Sequence, residues 1–225
     1  MRYRLTEESS PLLADAGIFM RKLNLFVSVS LMLFVLFAIM QSTTIMQSID
    51  AAMLLTLRTD DISIPRGTSW LLPLMSFLTY FGDVEALALV CLVVLLLLLL
   101  YGRKDEILLF VFAALGGIVL TFAMKAGFAR PRPTIVQPLA IVTSYSFPSG
   151  HASITAAVYV PVLLILRRRF SRASVLLTLS ILLFLLLIGF SRIYLGVHYA
   201  SDVLAGWAII ASWLGVCVSV IGRVR

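Results

Sequence analysis

The sequence predicts an all-α membrane protein: a bundle of six transmembrane helices with an extra interfacial helical segment between spans one and two. Three observations lead there. Of 225 residues, 61% are apolar and 13% charged, with a mean hydropathy of +1.06. Soluble domains hold about 45–50% apolar and about 25% charged residues. The apolar residues gather in six long uncharged runs, and about 20 such residues cross a bilayer core as a helix. The basic residues, finally, concentrate on one side of the topology that six spans create. This composition excludes collagen-like, disordered and nucleic-acid-binding chains, despite a formal net charge of +7.

The runs cover residues 23–49, 86–102, 107–124, 152–166, 173–191 and 203–222. The first follows a mixed-charge segment with Glu7, Glu8 and Asp15. It is too long for a signal-peptide core and reads as an uncleaved anchor. The second carries an unbroken leucine run, and the fourth borrows length from residues 147–151. A seventh stretch, 67–82, holds Thr68, Ser69, Ser76 and Thr79, has Pro73 inside, and leaves little chain for a hairpin before the next span. With Trp70 and Tyr80 suited to headgroup depth, it reads as an interfacial or half-inserted helix.

Loop charge decides between six spans and seven. Six place Arg2, Arg4, Arg21, Lys22, Arg103, Lys104, Arg167, Arg168, Arg169, Arg172, Arg223 and Arg225 on one side. Arg58, Arg66, Lys125, Arg130, Arg132 and Arg192 are left on the other. Basic loops stay cytoplasmic, so both termini, including an N-terminal tail over 1–22, are expected in the cytoplasm. A seventh span would export the Arg167–Arg172 cluster. Cys91 and Cys217 lie inside apolar runs, so no disulfide framework is indicated. No repeat or linker divides the chain, and 1–225 reads as one domain.

Three segments on the outer side collect the remaining polar chemistry. Lys125, Arg130, Arg132 and Pro133 join spans three and four; Pro148-Ser149-Gly150-His151 opens span four; Ser191, Arg192, His198 and Asp202 lie between spans five and six. Singly, each has an ordinary explanation: snorkelling cations, a helix N-cap, a surface His–Asp pair. Together they place six ionisable groups at the ends of four spans on one side, and such convergence at a membrane boundary marks a site.

Lys125, Arg132 and Arg192 form a cationic cluster, and Arg matches phosphate oxygens bidentately. A helix starting near Ser149 adds free N–H groups, with Gly150 permitting close approach. The expected ligand is therefore a phosphate. His198 and Asp202, four apart on a helix, suit a nucleophile and its orienting carboxylate, and His151 suits proton transfer. Two His and an Asp can also form a metal triad, but three neighbouring cations repel a divalent ion. No metal and no cofactor is expected.

These blocks resemble the type 2 phosphatidic acid phosphatase superfamily, whose signature is K-x6-R-P, then P-S-G-H, then S-R-x5-H-x3-D. Lys125 with Arg132-Pro133, Pro148 to His151, and Ser191-Arg192 with His198 and Asp202 match it without departure. The matched region, 125–202, is about a third of the chain. The resemblance implies a six-helix bundle with a metal-independent site on the extracytoplasmic face. His198 would form a phosphohistidine, oriented by Asp202, and His151 would act as acid and base. Lys125, Arg132, Arg192, Ser149 and the Gly150 amide would hold phosphate oxygens. The choice of His198 over His151 as nucleophile rests mainly on Asp202 and the family.

The expected reaction is hydrolysis of a phosphate monoester or diphosphate on a membrane lipid, such as phosphatidylglycerophosphate, phosphatidic acid or undecaprenyl pyrophosphate, in a bacterial plasma membrane. Two rivals stand beside it: transfer of the phosphate to another lipid through the same site, and non-catalytic headgroup binding or transport. Arg130, outside the signature, has two uses open to it: a second phosphate of a diphosphate, or lipid headgroups. With His198 neutral to attack and His151 protonated to assist departure, activity should be bell-shaped in pH. The partners expected are the lipid substrate and the bilayer, with no nucleic acid.

Overall fold

The computed structural model describes residues 11–222, and its regular structure is helical. Six helices are long and apolar enough to span a bilayer: 17–40 within α1 (Pro11–Met40), α4 (Val84–Tyr101), α5 (Lys104–Phe128), α6 (Gly150–Arg169), α7 (Ser174–Tyr194) and α8 (Ala200–Gly222). Between the first two lie α2 (Thr44–Thr56) and α3 (Leu71–Tyr80). The chain is thus an integral membrane protein with six spans and interfacial helices, as its apolar runs predict. Arg2, Arg4, Glu7, Glu8, Arg223 and Arg225, which entered the loop-charge argument, lie outside the described residues.

The first span departs from its expected limits. The run 23–49 is not one helix: α1 stops at Met40, and the chain restarts at Thr43 in extended backbone. The Thr43 hydroxyl donates to the Met40 carbonyl at 2.7 Å and accepts from the Met46 N–H at 3.3 Å. Short hydroxyl side chains compete with the helical ladder in this way and favour caps over helix interiors. The span shifts toward the N-terminus instead and takes in Arg21 and Lys22, which the sequence reading put in the tail.

Ten residues of α3 rise only about 15 Å, half a bilayer core. It does not cross; Met75 and Leu78 pack it on α7 around Tyr194. At the centre of the bundle stand α6 and α8, each with half of its most apolar stretch buried, against 11% in α1. Their contact faces are small, with Ala152, Ala156 and Ala157 on α6 and Ala205 and Ala208 on α8. Close backbone approach of this kind is what holds helices together in lipid, where apolar surface alone gives no drive. Phe34 of α1 packs against Phe128 and Phe147, the two ends of the α5–α6 connection, with ring centroids 5.0–6.2 Å apart. The Phe147–Pro148 peptide within this connection is cis. Helices α4, α6 and α8 begin, and α5 and α7 end, at one end of the bundle.

Candidate active site

At that end the termini of α5, α6 and α7, with the α5–α6 connection and the turn before α8, bring polar and charged side chains to a cavity of about 240 Å³. Its walls include Lys125, Arg132, Ser144, Gly150, His151, Arg192 and His198.

Helix α5 stops at Phe128, because Pro131 and Pro133 cannot continue it and Ala129 turns out at φ 44°. Lys125, in its last turn, donates to the Tyr145 and Ser146 carbonyls. Arg132 donates to the Ser144 carbonyl and to the Val197 carbonyl, both at 2.6 Å. Arg192, in the last turn of α7, donates to the Thr79 hydroxyl of α3, while its Nε is buried without a protein partner. All three guanidinium and ammonium groups are thereby anchored on carbonyls and hydroxyls rather than on carboxylates, so their charge remains uncompensated toward the cavity. Gly150 and His151 open α6, where free N–H groups and the helix dipole favour an anion.

His198 is placed differently from the expected helical pair. Helix α7 ends at Tyr194, and the chain turns through Gly196 at φ +70°, which an L side chain disfavours. A Cβ there would also lie 2.6 Å from the Arg58 guanidinium. His198 sits in this turn, ahead of α8, so its contact with Asp202 does not come from helical spacing. Asp202, in the first turn of α8, folds its carboxylate back onto the Tyr199 N–H at 2.9 Å, the acid half of a capping box. That return brings Oδ2 to 3.4 Å from His198 Nδ1, with the Ser146 hydroxyl bridging the two.

The hydrogen bonds settle which tautomer this geometry favours. Arg132 Nη1 lies 3.2 Å from His198 Nε2, and a guanidinium only donates, so Nε2 must accept. The proton then resides on Nδ1, facing the Asp202 carboxylate. Burial pushes the His198 pKa down to about 3, with Arg192 and Arg132 acting in the same direction and Asp202 opposing them. His198 is neutral, its Nε2 lone pair toward the cations. This moves the acid limb of the expected bell far below the histidine range.

Of the residues singled out from the sequence, Lys125, Arg132, Gly150, His151, Arg192 and His198 meet at the cavity wall. Asp202 stands behind His198, fully buried. Ser149 does not line the cavity: its hydroxyl is buried without a partner, while its N–H donates to the Asp202 carbonyl. Arg130 takes neither use left open for it. It is buried between two carboxylates, 2.9 Å from Asp50 and 2.6 Å from Asp202, with Tyr199 4.1 Å from its guanidinium. Two flanking carboxylates outweigh any attraction to a headgroup phosphate.

Asp50, Thr79, Asp83 and Ser146 escaped the sequence reading. Asp50 of α2 accepts from the Ser201 N–H at 3.0 Å, so a carboxylate from outside α8 caps the helix that carries Asp202. Asp83 accepts from His151 Nε2 at 2.9 Å. Asp50 left a trace, an acid alone in the apolar stretch 44–57, which calls for a buried partner. Thr79 and Ser146 left none. Among the described residues no three His, Cys, Asp or Glu side chains are gathered to hold a metal ion.

Comparison with known proteins accords with this geometry. The PAP2 superfamily model matches residues 106–225. Phosphatidylglycerophosphatase B of Bacillus subtilis is 29% identical over 143 residues, covering 62% of this chain and 70% of that protein. The undecaprenyl-diphosphatase of Sulfolobus acidocaldarius is 33% identical over 124 residues, 52% of this chain and 56% of that one. Among solved structures, the transmembrane PAP2-type phosphatidylglycerolphosphate phosphatase from Bacillus subtilis superimposes with a TM-score of 0.80 at 24% identity, over 89% of this chain and 98% of that chain. That likeness establishes the fold, and the family model, spanning more than half of the chain and containing every cavity-lining residue named above, establishes that the protein belongs to the PAP2 superfamily.

Proposed function

We propose that this protein is a membrane lipid phosphatase that removes a phosphate through a phosphohistidine on His198, without a metal. The observation that carries the reading is the pairing of a neutral, buried imidazole with three uncompensated cations around one small cavity. Lys125, Arg132 and Arg192 hold the phosphate oxygens, and the amides that open α6 complete the cradle. His198 Nε2 attacks phosphorus; the Nδ1 proton stays on the ring, and Asp202 stabilises the charge that develops there. His151 gives a proton to the departing oxygen and then takes one from the water that cleaves the phosphohistidine.

A lipid monophosphate is the substrate class this site suits best. Arg130 is engaged with Asp50 and Asp202 instead of offering a second phosphate subsite. The named relatives, a phosphatidylglycerophosphatase and an undecaprenyl-diphosphatase, support lipid-linked phosphate. The basic residues at the other end of the bundle support a cytoplasmic location for that end and for both termini, with the site on the outer face of a plasma membrane.

The test is release of inorganic phosphate in detergent with a chelator present, from a panel of lipid monophosphates and diphosphates, comparing the natural sequence with His198→Ala. Release that survives chelation and is lost in the variant is expected, strongest on monophosphates. Equal release by both proteins, or none from any lipid, overturns the reading.

A further inference from the structure

The interfacial segment between spans one and two reaches the site through Gly82 and Asp83. Asp83 occupies the N-cap of α4 in extended backbone, where an aspartate side chain ordinarily accepts from the first N–H groups of its own helix. Here it makes no such bond. Its carboxylate is turned away from α4 and accepts from His151 Nε2 on α6. The cap interaction is thus given up for a contact with one of only two histidines in the chain.

Gly82 supplies the other half of the contact. A Cβ built on it would fall 2.5 Å from His151 Cδ2 and 2.9 Å from Cγ. Only a glycine lets the backbone lie flat against that edge of the ring. Between them the two residues occupy Cγ, Cδ2 and Nε2, and the only ring nitrogen they leave is Nδ1. The geometry points to a clasp: Gly82 and Asp83 position His151 by holding its Nε2–H, and so commit Nδ1 to the proton transfers of the reaction.

This inference rests on the phosphatase reading and adds the atom through which His151 works. In the first half-reaction the N–P bond to His198 forms as the P–O bond to the lipid breaks. The departing oxygen keeps that electron pair and takes the proton from His151 Nδ1. In the second, water attacks phosphorus and loses a proton to Nδ1, while the N–P electron pair returns to His198 Nε2. The Nε2–H···Asp83 bond persists throughout, so only one ring position changes its proton. Asp83 is therefore a positioning residue that also stabilises the imidazolium form by its charge. The charged groups facing His151 are Asp83 from the start of α4, Arg192 from α7 and Arg132 from the α5–α6 connection, and Asp83 alone among them is negative. The His151 bond in turn holds the Asp83 carboxyl below the usual carboxylate range.

The experiment compares the natural sequence with Asp83→Asn, Asp83→Glu and Gly82→Ala in detergent, measuring kcat and KM across pH and the ¹⁵N shifts of the two labelled histidines. Asp83→Asn should lower kcat roughly tenfold to a hundredfold with KM within about twofold, a fraction of what general acid–base catalysis supplies. Its alkaline limb in kcat/KM should move about one unit toward acid, as expected when an adjacent opposite charge is lost. Asp83→Glu should restore most of the rate, and Gly82→Ala should lower kcat with its unfolding temperature kept. In the natural protein the His151 signal should show Nε2 protonated at every pH and Nδ1 titrating. An alkaline limb that does not move in Asp83→Asn, or an Nε2 that titrates, overturns the clasp while leaving the phosphatase intact. Full activity in His151→Ala instead overturns the phosphatase mechanism itself.

Discussion

The two ends of the bundle carry charge in opposite ways. At the end away from the site, cations and carboxylates pair: Arg103 with Asp105 at 3.1 Å, Arg168 with Asp105 at 3.5 Å, and Arg169 with Glu106 at 2.7 Å. Most of these groups are well exposed, and Arg103 shows 60% of its side chain. At the site end Lys125, Arg132 and Arg192 rest on carbonyls and hydroxyls, while the nearby carboxylates are engaged elsewhere. Asp50 and Asp202 are held by Arg130, and Asp83 by His151. The contrast separates two kinds of basic cluster. Paired charges anchor a helix end, whereas cations anchored on neutral groups keep their field for a ligand.

The buried network offers the hardest test of that contrast. Arg130→Met leaves Asp50 and Asp202 facing each other without a cation, and a broken buried pair costs about 3–5 kcal/mol. The variant should unfold in detergent at a much lower temperature than the natural protein; an unchanged melt would break the distinction between the ends. Next in size is the effect on catalysis. Arg192→Ala should reduce kcat/KM by about a hundredfold, as loss of one preorganised donor to a developing charge does. At the other end Arg169→Ala should leave kcat/KM within about twofold.

The pH dependence of stability follows from His198. Its folded pKa, about 3, lies below the ordinary 6.5, so the folded state binds fewer protons than the unfolded chain between those values. The stabilising contribution is fully present above pH 6.5 and is lost as pH falls from 6.5 toward 3. Thermal unfolding should show this decline, and His198→Ala should flatten it. Across the same interval kcat/KM should show no acid limb from His198.

The smallest effect belongs to the paired end. Arg169→Ala leaves Glu106, 3% exposed, accepting from the Arg103 N–H, and should cost on the order of 1 kcal/mol. Arg103→Ala, at an exposed pair, should fall within about 0.5 kcal/mol.

The six spans and the interfacial segment were legible along the chain; of the eight candidate site residues, six reach the cavity wall, Asp202 stands behind His198, and Ser149 does not line the cavity. Bilayer thickness demands a fixed length of apolar helix, loop charge orients it, and phosphate chemistry restricts which side chains recur at which spacing. The break of the first run at Thr43 was also written locally, in a hydroxyl cluster whose capping strength an apolar count does not weigh. Long-range pairing was a different matter. That Arg130 lies between Asp50 and Asp202 depends on residues 80 and 72 positions away in the chain, and that Asp83 abandons its own helix for His151 depends on one 68 positions away. Periodicity and spacing report which face of a helix a residue occupies, not which other helix that face meets. The sequence alone therefore determined the solvent, the spans and which polar residues gather at one end of the bundle. Only the packing of α2, of α4 and of the α5–α6 connection against α6 and α8 decided which cations are neutralised, which nitrogen of each histidine carries the proton, and which carboxylate serves which imidazole, because buried charges take partners by proximity in space and sequence order does not encode it.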